Sequence, residues 1–256
     1  MQHKGRLYGV SLGPGDPGLI TRNAWECLQR HDTVWTYPKR NRKSESYALD
    51  IVLRAGLELP ADHCELIFPM THDQELLARH WLAAAEQVVE FLHAGKDVLF
   101  LVEGDASTYS TFGHLARSVR GLDEEIEYQV IAGVASFNAA AACSRFDLSE
   151  TDDTIAIIPA GYGLEMIERL MQDFDTLILM KVKPLIDEII GLLRQREILQ
   201  HAVFIERAGT PEERIVSDVA SLKGETVNYL SLMLVKNPHR QRGEMIRGCR
   251  KKSTQK

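Results

Sequence analysis

Cysteine is scarce in this sequence and widely scattered: Cys27, Cys64, Cys143 and Cys249 are the four in 256 residues, and no two form a C-x-x-C pair. Neither a disulfide framework nor a zinc cluster is indicated, and reduced thiols are expected. The nine histidines show no H-E-x-x-H or other ligand spacing, so no metal ion is expected. No run approaches the roughly 18 apolar residues of a membrane span. Residues 1–7 are polar and basic with no apolar stretch behind them, which also argues against a secretory leader. Charge of one sign is missing too: 36 acids stand against 30 Lys and Arg, for a net charge of -6. The two signs are interspersed, which argues against a general nucleic-acid binder. An anionic ligand therefore needs a local basic patch. The expectation is a soluble, cytoplasmic protein with neither nucleic acid nor membrane as partner.

The chain does have enough apolar residues, 45% by count, to bury a sizeable core in one large or two modest domains. Short apolar runs bounded by turn residues predict strands at 7–12, 33–37, 66–70, 98–102 and 128–131. Between them, helical periodicity covers 19–30, 46–55, 74–93 and 109–119. Alternating strand and helix predicts an α/β fold with a mostly parallel sheet. After an Ala-rich segment at 136–143 and a polar stretch at 145–153, the alternation resumes. Strands are expected at 155–159, 177–182, 203–206 and 229–235, helices at 164–172 and 185–196, and a hairpin-like element at 213–216. The division expected is an N-terminal α/β domain over 1–145, a second over 146–238, and a basic tail over 239–256 without fixed structure.

The first strand runs into Gly13-Pro14-Gly15-Asp16-Pro17-Gly18 and then into a helix. As a string this satisfies G-x-G-x-x-G in the strand-to-helix context of a dinucleotide fingerprint. Pro14 and Pro17, however, remove two N–H donors from a loop that would cradle a pyrophosphate. The acid expected after the second strand is also replaced by Lys39 and Arg40. These features disfavour a nicotinamide site.

The same loop resembles the opening of the tetrapyrrole methylase family, a strand followed by G-x-G-P-G-D-P-x-L-[IL]-T. Two further segments carry the resemblance. Gly104-Asp105-Ala106-Ser107-Thr108-Tyr109 is similar to G-D-P-x-x-Y, extended through Ser110, Thr111, Phe112 and Leu115 in the manner of the subgroup that methylates ring carbon 20. Residues 130–142, Val-Ile-Ala-Gly-Val-Ala-Ser-Phe-Asn-Ala-Ala-Ala-Ala, are similar to I-P-G-V-S-S-F-x-A-A-A. Ala106 and Ala132 stand where the family pattern has proline. The resemblance covers about residues 5–236.

It implies two α/β domains with a cofactor cleft between them, usually in a homodimer. It also implies S-adenosylmethionine as methyl donor and C20 of precorrin-2 or cobalt-precorrin-2 as acceptor, a step of cobalamin biosynthesis. Matched residue by residue, it assigns Pro14, Gly104, Asp105, Thr108, Ala135, Ser136, Met180 and Ala208 to the cofactor. For the carboxylate-ringed tetrapyrrole, the bases Lys39, Arg40, Arg42 and Lys43, together with Asp16, are the substrate candidates, because guanidinium forks match carboxylates. A solvated charged loop is the competing reading of those bases. Methyl transfer to carbon requires alignment and then loss of a proton, for which Tyr109 and Asp105 are the candidates. Methylation at another corrin or sirohydrochlorin position, or on a protein diphthine, remains open, as does a non-catalytic cofactor binder.

Overall fold

Leu7–Ser11 forms the first strand, β1, because alternate residues point to opposite faces and both faces are covered. In the computed structural model, which describes residues 3–243, β1 is flanked on both sides in a five-stranded sheet of order β3-β2-β4-β1-β5. The partners are β2 (Thr33–Lys39), β3 (His63–Ile67), β4 (Asp97–Val102) and β5 (Tyr128–Ile131), and every pairing is parallel. One face, carrying Val98, Phe100 and Val102, packs under α3 (Gln74–His93) and α4 (Phe112–Leu122). The other, carrying Val10, Leu12, Leu99 and Leu101, packs under α1 (Arg22–Leu28) and α2 (Tyr47–Arg54). Side-chain caps start three of these helices: Thr21 for α1, Ser46 for α2 and Asp73 for α3.

Residues 3–146 form this first unit together with a returning segment, 205–215; residues 147–204 and 216–243 form the second. The other sheet is mixed, of order β6-β7-β10-β8-β9. Its strands are β6 (Ile155–Pro159), β7 (Thr176–Met180), β8 (Ala202–Glu206), β9 (Arg214–Val216) and β10 (Ser231–Lys236). β6 runs parallel to β7, and β10 antiparallel to it. Helices α6 (Leu164–Asp173) and α7 (Ile186–Gln195) supply Ile167, Met171, Ile189, Ile190 and Leu193 to a core shared with Leu177, Leu179 and Met233. The α/β class is as expected.

Three local differences have physical reasons. β3 lies three residues earlier than the apolar run 66–70 suggests, because the strand registers Trp35 against His63 and Lys39 against Ile67. The helix expected from Tyr109 begins at Phe112, since Tyr109 sits in a turn with φ 49°. The first helix is preceded by a separate 3-10 turn at Pro17–Leu19, capped by the Asp16 carboxylate. The tail expected to lack structure from residue 239 is fixed at its start, where Arg240 and Arg242 pair with Asp175 and Arg242 also pairs with Asp153. Its remainder, 244–256, lies outside the described residues.

Candidate active site

The helix that follows β1 covers one face of the first sheet, and the helix that follows β4 covers the other, although the two strands are neighbours. That is a topological switch point, where the loops at the carboxyl ends of adjacent strands diverge and leave room for a ligand. The loops in question carry the first two sequence motifs.

Backbone bonds join them. Leu12 N–H donates to Val102 O at 2.9 Å, and Gly13 and Gly104 exchange bonds, 3.2 Å from Gly13 N–H and 2.8 Å from Gly104 N–H. Gly104 adopts φ 77°, a left-handed conformation that glycine takes without a Cβ penalty, and the space its missing side chain would enter has no heavy atom within 4 Å.

Asp105 brings in the third motif. One of its oxygens accepts from Gly133 N–H at 2.9 Å, the other from Ser107 N–H at 2.9 Å, the Ser107 hydroxyl, and Thr108 Oγ1 at 3.4 Å. Desolvation would raise this carboxyl, but these hydrogen bonds outweigh it and hold it below the usual carboxylate range. Thr21 Oγ1 donates to Ala132 O at 3.2 Å, tying the start of α1 to the same segment. α5 (Ser136–Ser144) follows, and no side chain caps its N-terminus at Ala135, where Asn138 N–H donates to Ala135 O at 3.0 Å.

The structure thus brings together Pro14, Gly104, Asp105, Thr108, Ala135 and Ser136. Ala208, in the returning segment, belongs to the same neighbourhood: a Cβ on Gly15 would stand 2.9 Å from Ala208 O. Met180 ends β7 in the second unit. Asp16 is exposed and one oxygen accepts from Gly18 N–H at 2.8 Å. Of the basic run, Lys39 is occupied by Glu65 at 2.7 Å and by Arg42 O at 3.0 Å. Arg40, Arg42 and Lys43 are exposed and, among the described residues, their charged groups have no ion-pair partner. Asn41 shapes that loop, its side-chain oxygen accepting from Lys43 and Ser44 N–H at 2.9 Å each.

The sequence profile of the Tetrapyrrole (Corrin/Porphyrin) Methylases matches residues 6–223. The chain belongs to this family. Among family members, cobalt-precorrin-2 C(20)-methyltransferase of Salmonella typhimurium is 33% identical, covering 90% of this chain and 96% of its own. Precorrin-2 C(20)-methyltransferase of a Sinorhizobium species is 30% identical, over 90% of this chain and 95% of its own. The crystal structure of uroporphyrin-III C-methyl transferase from Thermus thermophilus, complexed with S-adenyl homocysteine, superposes with a TM-score of 0.61 at 25% identity, covering 91% of this chain and 97% of that one.

Two residues of this tetrapyrrole methylase site escape motif matching. Ser11 is fully buried, and its Oγ accepts from Ala106 N–H at 2.8 Å. Glu103 closes the apolar run Val98–Val102, and burial pushes its carboxyl up to about 7. The signal was an acid set directly behind five consecutive apolar residues and ahead of Gly104-Asp105.

Proposed function

We propose that this protein is an S-adenosylmethionine-dependent C-methyltransferase that methylates C20 of precorrin-2 or cobalt-precorrin-2 in cobalamin biosynthesis. The observation that carries the reading is the meeting of three family motifs at one switch point, with Asp105 bonded across two of them. Relatives at 30% and 33% identity over 90% of the chain support the choice of ring position.

The residues at this edge suit the donor. Open space beside Gly104 admits backbone-close approach, and the uncapped N–H groups at the start of α5 suit a carboxylate such as an amino-acid head. Pro14, Gly104, Asp105, Thr108, Ala135, Ser136, Met180 and Ala208 are proposed to hold it. When bound, S-adenosylmethionine supplies an electrophilic methyl group on a sulfonium.

The protein's own contribution is alignment and water exclusion, which lower the barrier by fixing reactants at near-attack distance. Asp105 acts in this scheme as the brace of the cofactor loops, since its acceptor sites are taken by Gly133, Ser107 and Thr108. Arg40, Arg42 and Lys43, with Asp16 at the neighbouring loop, are proposed to face the acceptor's carboxylates. Tyr109, half-exposed in its turn, is the proposed acceptor of the proton lost from the methylated carbon. A homodimer in the cytoplasm is the proposed physiological form; no described helix is long and apolar enough to cross a membrane.

The test is a single-turnover incubation with methyl-labelled S-adenosylmethionine and precorrin-2, with and without cobalt. Label at C20 of either acceptor is expected; label at another ring position would retain the chemistry and overturn the position.

A further inference from the structure

The loop between β1 and α1 is fastened at both ends and leaves one buried carbonyl to be satisfied in between. Gly13 exchanges backbone bonds with Gly104. At the other end the turn closes on itself, Leu19 N–H donating to Asp16 O at 2.9 Å and Ile20 N–H to Pro17 O at 3.2 Å. Between these anchors lie Pro14, which has no N–H to donate, and Gly15, which is buried. A buried carbonyl without a donor is costly. Among the described residues, the donor to Gly15 O is Arg54 Nη2 at 2.6 Å, from 39 positions further along the chain.

Arg54 is the last residue of α2, whose Ser46 cap and buried Ala48, Ile51 and Val52 seat the helix on the sheet. Its Nε donates to Asp50 Oδ2 at 2.8 Å, one helical turn back. One carboxylate therefore fixes the plane of the guanidinium, and the rigid fork aims its remaining donors at the loop. The returning segment crowds Gly15 as well: a Cβ there would stand 2.7 Å from Thr210 Cγ2 and 2.9 Å from Ala208 O. A Cβ on Gly209, at φ 77°, would stand 2.9 Å from Asp16 N, and Gly209 N–H is itself held by Glu213 at 2.7 Å. The peptide joining Gly15 to Asp16 thus has its oxygen gripped by Arg54 and its nitrogen set against Gly209.

We infer that Arg54 is a positioning residue for the methyl transfer, an assignment that rests on the function proposed above. It acts through the loop and touches neither reactant. By holding Gly15 O it fixes the orientation of one peptide, on either side of which stand Pro14, proposed to hold the donor, and Asp16, proposed to face the acceptor. The two reactants are thereby kept in register with each other. A displacement of about 1 Å at this point costs up to about 100-fold in rate, because near-attack geometry is lost while most binding contacts survive. A charge-assisted bond from a fork already set by Asp50 suits this task, since it constrains direction as well as distance.

The experiment compares wild type, R54A, R54K and D50N in single-turnover transfer at saturating S-adenosylmethionine and precorrin-2 or cobalt-precorrin-2. S-adenosylhomocysteine affinity is measured on the same preparations, at a temperature where far-ultraviolet dichroism shows each variant folded. R54A is expected to lose roughly 10–100-fold in rate at saturation. Its cofactor affinity should stay within about threefold, a split that a merely structural tie would not produce. R54K should recover part of the rate, since an ammonium can donate to Gly15 O but lacks the fork that engages Asp50 at the same time. D50N keeps the donor to Gly15 and should stay within about threefold of wild type. R54A with the wild-type rate at saturation, or with its rate loss matched by an equal loss of cofactor affinity, would overturn the assignment. Where R54A does not fold, R54K decides: a rate below wild type by more than about threefold with affinity kept supports the role, and the wild-type rate overturns it. Absence of transfer by wild type to either acceptor would instead overturn the proposed function, and this inference with it.

Discussion

Asp105 joins two loops, and its value depends on its charge. Asn at this position keeps one acceptor oxygen but presents an NH₂ where the other carboxylate oxygen now receives Gly133 N–H. D105N is expected to cost about 1–3 kcal/mol in urea unfolding at pH 7. Because the native carboxyl lies below its ordinary 3.8, the contribution is present above that value and is lost as pH falls through the folded one. The stability gap between wild type and D105N should therefore close in acid. Nearby, Ala106 replaces a family proline, and its N–H is the group that satisfies buried Ser11. Ser11 in turn occupies the first glycine position of the G-x-G-P-G pattern, so two departures from the family sequence answer each other. A106P alone should destabilise by about 1–3 kcal/mol, by removing the donor. S11G/A106P should recover most of that loss, which a double-mutant cycle will read as coupling of about 1 kcal/mol or more.

At the scale of elements, the basic loop after β2 divides into one structural and three available cations. Lys39 is held by Glu65, whereas Arg40, Arg42 and Lys43 stand exposed on a turn fixed by Asn41. R40A/R42A/K43A is expected to weaken tetrapyrrole binding at least about tenfold and to leave S-adenosylhomocysteine affinity within about twofold, both read by equilibrium titration. Equal losses for both ligands would assign the loop to folding. This element also shows what the sequence made legible. Long periodic segments were read at the right place, α3 above all, because twenty residues of helical period leave little ambiguity. β3 was read late because it is an edge strand with exposed His63 and half-buried Glu65 at its start, so its polar beginning resembled a loop. The motif loops were legible as patterns. The bond from Ala106 N–H to Ser11 was not, since a pattern records which residues recur and not which of them bond to one another. The returning segment 205–215 was also hidden, because local periodicity carries no information on which unit a stretch joins.

On the scale of the whole molecule, the second unit is closed by its own C-terminal residues. Asp175, almost fully buried, accepts from Thr154 N–H at 2.8 Å and Thr154 Oγ1 at 3.0 Å, and pairs with Arg240 and Arg242. Desolvation opposes its charge, yet the Thr154 and arginine bonds bring the carboxyl down to about 2. Lys236 adds a bond to Asp153 at 2.9 Å, so strand β10 and the residues after it share one acidic anchor. R240A/R242A should lower thermal stability by about 1–3 kcal/mol near neutral pH. With the native value depressed, this contribution stands above the ordinary carboxylate range and disappears as pH falls towards 2. Scanning calorimetry at pH 7 and pH 2.5 checks the sign (the lower point chosen roughly half a unit above the depressed value).

The paired bonds between Gly13 and Gly104 have a consequence for how a ligand is received. Two loops already stitched by their own backbones have little left to order when a guest arrives, so capture proceeds without an accompanying folding event. The amide of Gly104, donating at 2.8 Å, should resist exchange with heavy water in the ligand-free protein and gain little further protection when S-adenosylhomocysteine is added. Read by mass spectrometry, that behaviour marks a receptor that is finished before its ligand comes.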